Sequence, residues 1–70
     1  MNNIYIKDEN IKLGQALKLS GAVSSGVEAK IAVQEGLVKV NDEICTQRGK
    51  KLIENDVISF EDNEYMISKA

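Results

Sequence analysis

The sequence predicts a small α+β domain, in which two short helices pack together and are followed by a small antiparallel sheet. The prediction depends on a change of hydrophobic period: apolar residues recur at helical spacing within residues 11–35 and alternate with polar residues from Leu37 onward. Helical segments followed by a run of short strands, without a second strand–helix–strand unit, are typical of α+β domains. A chain of 70 residues is also the size of one domain with a modest core.

The first helix is predicted over residues 11–20. Asn10 precedes the helical pattern as a candidate N-cap, and Gly21 follows it as a residue that adopts the left-handed conformation of helix ends. Leu17 is expected to be buried on the inner face. Gly14 costs about 1 kcal/mol relative to Ala within a helix, which weakens the prediction of a helix here unless close packing needs a missing side chain at this position.

The second helix is predicted over residues 25–35. Ser25 and Glu28 have the spacing of a capping box, and Gly36 terminates the pattern. Ile31 is expected to be buried. The connection between the two helices is so short that they should be packed neighbours.

Period-two alternation and polar turns predict the strands. An edge strand is expected at Ile4–Ile6, and the other strand segments are residues 37–40, 43–46, 57–60 and 64–67. Asn41 and Asp42 tolerate positive φ and should form the tight turn of the first hairpin. Cys45, in the returning strand, is expected to be half-buried.

Composition argues against several classes of function. The chain has no His and one Cys, which removes the commonest general base, an internal disulfide and a cysteine metal cluster. We therefore expect no catalysis, metal, cofactor or small-molecule substrate. No stretch approaches the roughly 18 apolar residues of a membrane span, and the N-terminus does not have the pattern of a secretory signal. A monomeric, cytoplasmic protein without a membrane partner is expected.

Basic residues are concentrated in the middle of the chain, although the net charge of the whole chain is −2. Residues 12–51 contain seven basic and four acidic side chains, a net charge of +3. Residues 52–70 contain one basic and five acidic side chains, a net charge of −4. The stretch TQRGKK, residues 46–51 and here called the basic loop, contains three basic side chains and no acidic one. Because local fields rather than net charge steer a polyanion, overall acidity does not exclude RNA as a partner.

The segment SSGVEAKIAVQEGLVKVN, residues 24–41, resembles the RNA-binding domain of ribosomal protein S4, also called the alpha-L motif. The family core has the pattern I-x-x-G-x-V-x-V-N, which this chain matches with an insertion between Ile31 and Gly36. Gly26 stands where many larger members have Arg.

The segments 13–18, 48–51 and 55–58 also look like parts of small stand-alone bacterial members of this family. The resemblance covers about residues 11–60 of a single domain, 1–70. It implies a non-catalytic module that binds structured RNA, either ribosomal or transfer RNA, with the ribosome as a further candidate partner.

We expect the RNA contacts to come from the second helix N-terminus and the basic loop. Free N–H groups and hydroxyls at a helix N-terminus can donate to a phosphate, and Arg adds bidentate recognition. The candidate residues are Lys18, Ser24, Ser25, Lys30, Lys39, Asn41, Arg48, Lys50 and Lys51.

Simpler interpretations remain open for each of these residues. A run of three charges is often only a solvated surface, and Ser24 and Ser25 are also explained by helix capping alone. Lys12, Lys18 and Lys39 are single lysines, for which solubility is the ordinary explanation. At the level of the whole protein, the alternative is a protein-interaction module that kept the fold and lost RNA binding.

Overall fold

The computed structural model describes all residues, 1–70, as two helices packed against a five-stranded sheet, with a separate two-stranded ribbon. The predicted α+β class is confirmed. The elements in chain order are β1 (Asn2–Ile6), β2 (Ile11–Lys12), α1 (Leu13–Leu19), α2 (Gly26–Gln34), β3 (Lys39–Val40), β4 (Glu43–Ile44), β5 (Lys51–Leu52), β6 (Val57–Phe60) and β7 (Asn63–Lys69). Neither helix is long and apolar enough to cross a membrane.

The five-stranded sheet has the order β1-β7-β6-β3-β4, and β2 pairs with β5 in the ribbon. Every pair is antiparallel except β1 with β7, which is parallel and places Ile4 opposite Ile67. The predicted antiparallel sheet is therefore confirmed except at this edge, where the pairing is parallel. The physical reason is that β1 precedes the helices and pairs with the last strand, so no hairpin joins the two.

Helix α1 begins at Leu13, two residues later than predicted, and Asn10 is not its cap. The N-cap position is Lys12, whose backbone is extended and whose side chain makes no capping hydrogen bond. Ile11 and Lys12 are held extended because they pair with β5. The predicted end is confirmed, since Gly21 follows the helix with a φ of 81°.

Helix α2 has the predicted cap, because the Ser25 hydroxyl accepts a hydrogen bond from the Glu28 N–H at 3.2 Å. The prediction that Ile31 is buried is wrong: its exposed fraction is 53%, whereas Val33 is fully buried. The buried stripe of this helix consists of Ala29, Ala32 and Val33, and Ile31 lies outside it. Val33 is three residues before Gly36, so the family spacing is met there without an insertion.

The first hairpin turns at Asn41 and Asp42, whose φ angles of 51° and 70° confirm the predicted left-handed turn. Its strands β3 and β4 are shorter than the sequence suggests. Cys45 is half-buried as expected, but it lies beyond the end of β4 rather than within a strand. The last two strands match their predicted positions, and β7 extends further on both sides.

The core joins both helices, the ribbon and the sheet. Leu17 is fully buried, as predicted from its helical spacing. The largest fully buried residues of the core are Leu13, Leu17, Val33, Val38, Leu52, Ile58 and Ile67. Because Leu52 belongs to β5, the chain segment that follows the basic loop is anchored in this core.

Candidate nucleic-acid interface

The basic loop is fixed against the beginning of α1. The Leu13 N–H donates to the Lys50 carbonyl at 2.9 Å, and the Gly14 N–H donates to the Arg48 carbonyl at 3.0 Å. The first N–H groups of a helix have no partner within the helix, so the loop carbonyls satisfy donors that would otherwise be free. A turn closed by the Lys50 N–H and the Gln47 carbonyl at 3.1 Å completes this arrangement. The loop is therefore a defined part of the fold.

A shallow groove of about 270 Å³ lies where the two helices meet the basic loop. We call it the cationic groove, because three of its lining residues are basic and none is acidic. The full lining is Lys12, Gly14, Gln15, Lys18, Gly26, Ala29, Arg48 and Gly49. Residues from three separate segments of the sequence thus form a single basic surface.

The two-stranded ribbon places two positively charged side chains next to each other beside this groove. Lys12 on β2 lies directly opposite Lys51 on β5 in the antiparallel register. Like charges directly opposite one another in a sheet are destabilising. The one ion pair in the structure joins Lys69 and Glu9 at 3.8 Å, so no protein carboxylate pairs with Lys12 or Lys51.

The beginning of α2 borders the groove through Gly26 and carries its own carboxylate. The Ser24 hydroxyl donates to Glu28 at 2.6 Å, and the Ser24 N–H donates to the other carboxylate oxygen at 3.4 Å. The hydrogen bond from the Ser24 side chain, followed by that from its backbone, lowers the pKa of the Glu28 carboxyl below its ordinary value. Glu28 thus stays ionised at neutral pH. The Ser24 hydroxyl is engaged within the protein, while the N–H groups of Gly26 and Val27 remain free.

Of the residues expected to contact RNA, the groove brings together only Lys18 and Arg48. Lys51 is adjacent through its pairing with Lys12, and Ser25 caps the helix that begins at the groove. Lys30 is exposed on α2 but does not line the groove.

Three other expected residues lie elsewhere on the surface. Lys39 lines a different depression, together with Glu61, Asp62 and Glu64. Lys50 lines a third depression, next to the hairpin. The side chain of Asn41 makes its hydrogen bonds within the protein.

Asn41 joins the hairpin to β6. Its amide nitrogen donates to Asp56 at 3.1 Å, and its side-chain oxygen accepts from the Val57 N–H at 3.0 Å. Asp56 in turn accepts from the Ile53 N–H at 2.8 Å. Both polar atoms of Asn41 are therefore engaged in holding the turn.

Sequence reasoning missed Lys12 and Gln15 as groove residues. Lys12 was expected to be an ordinary solubility lysine, because nothing in its neighbourhood along the chain marks it as functional. Its position depends on pairing with Lys51, which is 39 residues away in the sequence. The φ of Gly49 is not positive, so the basic loop does not depend on the special conformational freedom of glycine there.

No group of three or more His, Cys, Asp or Glu side chains is arranged to hold a metal ion. The arrangement offers instead cationic side chains, free helix N–H groups and an open groove. Anionic oxygens are the ligands that such groups recognise.

Comparison with known proteins gives a consistent set of relatives. A family model described as the S4 domain matches residues 4–68. The probable ribosome maturation protein RlbA of Bacillus subtilis is 47% identical over 60 residues, which cover 86% of this chain and 84% of that protein. The putative RNA-binding protein YbcJ of Escherichia coli is 39% identical over 54 residues, covering 77% of each chain.

The fold is also found in a solved structure. The solution structure of YbcJ from E. coli, described as revealing an alfaL motif involved in RNA-binding, superimposes with a TM-score of 0.74. The alignment covers 97% of this chain and 87% of that one, at 32% sequence identity.

Proposed function

The chain belongs to the S4-domain family, and on that premise we propose that it is a non-catalytic module that binds structured RNA through the cationic groove. The proposal extends to this chain what the names of two relatives say of those proteins: one is called an RNA-binding protein and the other a ribosome maturation protein. The cationic groove gives a separate, physical reason to propose that this chain binds RNA.

The observation that carries the proposal is the convergence of Lys12, Lys18 and Arg48 on one groove whose lining contains no acidic residue. Phosphate contacts supply most of the sequence-independent affinity for nucleic acid, and they come from basic side chains and helix N-termini. Both kinds of donor are present, because α2 begins at Gly26 on the wall of the groove. A bound phosphate would also relieve the repulsion between Lys12 and Lys51.

The placement of the candidates divides them into three groups. Lys18 and Arg48 act in the groove with Lys12, and Lys51 contributes from the ribbon. Lys39 lies beside three carboxylates and contributes little, since the local field there is not favourable to an anion. The remaining candidates act at the margin of the groove or by stabilising the fold. They are Ser24, Ser25, Lys30, Asn41 and Lys50.

We propose ribosomal RNA as the partner, on the basis of the ribosome maturation relative, with transfer RNA as the second possibility. The protein acts as a cytoplasmic monomer in this account. Crosslinking in cells, followed by sequencing of the bound RNA, identifies the ligand. Recovery of ribosomal RNA supports the proposal, and recovery of no RNA above background contradicts it.

The groove is tested by a triple variant, Lys12→Gln, Lys18→Gln and Arg48→Gln, assayed for binding to an RNA hairpin across a salt series. If each side chain contacts a phosphate, the slope of log affinity against log salt becomes shallower by about 2 units, at roughly 0.7 per contact. Thermal stability should change little, because exposed charges usually contribute within about 0.5 kcal/mol each.

Lys39→Gln is the matched control, since it removes one exposed lysine from outside the groove. It should leave both affinity and salt slope near the wild-type values. A triple variant that binds with wild-type affinity and an unchanged slope would exclude the groove and favour a protein partner for this fold.

A further inference from the structure

Gly14 occupies a position in α1 that its conformation does not explain. It is the second residue of the helix, its φ is not positive, and Ala is a better helix former than Gly. The position is also buried. The reason for glycine must therefore lie in what surrounds it.

The surrounding atoms belong to the side chain of Arg48. A Cβ atom placed on Gly14 would lie 2.6 Å from Arg48 Cγ and 3.1 Å from Cδ, closer than van der Waals contact permits. The Arg48 carbonyl would be 3.7 Å away, an ordinary contact. A methyl group at this position would displace the side chain of Arg48 and leave its backbone in place.

We propose that Gly14 is a positioning residue for RNA binding: its missing side chain is the space through which the aliphatic part of Arg48 crosses α1, so that the guanidinium lies in the cationic groove. The inference rests on the proposed function of that groove. Three observations support it: the Gly14 N–H donates to the Arg48 carbonyl at 3.0 Å, the adjacent Leu13 N–H donates to the Lys50 carbonyl, and both Gly14 and Arg48 line the groove. The backbone hydrogen bonds hold the backbone of Arg48 in place. The space at Gly14 then determines the direction of the Arg48 side chain.

The groove also contains a control for the position of the Arg48 side chain in the free protein. Gly26 also lines it and stands at the beginning of a helix, but a Cβ atom there would meet no atom within 4 Å. Gly26→Ala thus adds the same methyl group to the same surface without touching Arg48.

The experiment compares wild type, Gly14→Ala, Lys39→Gln, Arg48→Ala and the double variant Gly14→Ala/Arg48→Ala for affinity and salt slope with a fluorescein-labelled RNA hairpin. Gly14→Ala should weaken binding about tenfold, the loss expected for one charged hydrogen-bonded contact. Its salt slope should become shallower by about 0.7. Lys39→Gln, which removes a lysine outside the groove, should stay within about twofold of wild type. In the Arg48→Ala background Gly14→Ala should have no further effect, because the atoms it displaces are gone.

The Arg48 Nε–H signal in the NMR spectrum of the free protein gives a readout that does not involve RNA. It should shift in Gly14→Ala and not in Gly26→Ala. If Gly14→Ala alone fails to fold, the double variant should fold, since it lacks the clashing Cγ and Cδ atoms. A double variant that also fails to fold would overturn the inference.

Three further outcomes show whether this inference fails alone or together with the proposed function. If wild type binds the hairpin with a salt-dependent affinity and Gly14→Ala binds equally well, only the positioning role is overturned. If Gly14→Ala weakens binding as much in the Arg48→Ala background as in wild type, Gly14 acts by another route and the inference is again wrong. If wild type shows no salt-dependent binding to the hairpin, the proposed function and the positioning role fail together.

Discussion

Replacing Leu17 and Ile31 separately with Ala tests the packing of the two helices most sharply. Both are large aliphatic residues on short helices, and their positions in the sequence make both candidates for burial. In the structure Leu17 is fully buried, whereas the exposed fraction of Ile31 is 53%. The two substitutions should therefore differ greatly in their effect on the free energy of unfolding.

The magnitude for Leu17→Ala follows from what is removed. Three buried carbon groups are lost, at about 0.8 kcal/mol each, and the cavity left behind raises the total to about 2–5 kcal/mol. A domain of this size is stable by only about 4–10 kcal/mol, so this one change removes a large part of its stability. Ile31→Ala should cost less than about 1 kcal/mol, because roughly half of that side chain is already in water.

Urea denaturation followed by circular dichroism measures both changes. The slope of the unfolding free energy with urea should be the same in both variants, so that shifts in midpoint report stability. Equal losses for the two variants, or a larger loss for Ile31→Ala, would refute the assignment of the buried face of α2.

Two further substitutions test local structure at the margins of the proposed site. Ser25→Ala should lower stability by about 1 kcal/mol, since the hydroxyl that accepts the Glu28 N–H at 3.2 Å is lost, and urea midpoints measure it. Asn41→Ala should lower stability by about 1–2 kcal/mol through the loss of two hydrogen bonds, while the folded variant keeps its affinity for an RNA hairpin. Weakened binding by a folded Asn41→Ala variant at temperatures well below its midpoint would show that this side chain contacts RNA directly.

Local signals in the sequence predict the elements that local interactions create. The capping box at Ser25 and Glu28 marks the beginning of α2, because the hydrogen bond it predicts spans three residues. The hairpin turn at Asn41 and Asp42 follows in the same way from their tolerance of positive φ. In both cases the residues that determine the structure are neighbours in the chain.

The ribbon formed by β2 and β5 has no such signal. Each strand has two residues, too few to show a period, and the pairing of Lys12 with Lys51 joins distant segments. The late beginning of α1 and the presence of Lys12 in the groove both follow from this pairing. The parallel pairing of β1 with β7 is non-local as well, and alternation within a strand does not specify its partner.

The exposure of Ile31 shows a limit of helical periodicity. In a short helix the small residues Ala29 and Ala32, with Val33, form the buried stripe, and a larger aliphatic residue beside the stripe is left in solvent. Size and hydrophobicity favoured Ile31 in the sequence, but the close packing of the helices favours the alanines.

The central claim, that RNA binds in the cationic groove, is tested most directly by titrating ¹⁵N-labelled protein with an RNA hairpin and following the backbone amide signals. The account predicts that the largest shifts occur at Lys12–Lys18, at the beginning of α2 near Gly26, and at Arg48 and Gly49, with small shifts around Lys39. Largest shifts at Lys39 and residues 61–64, with the groove unchanged, would contradict it.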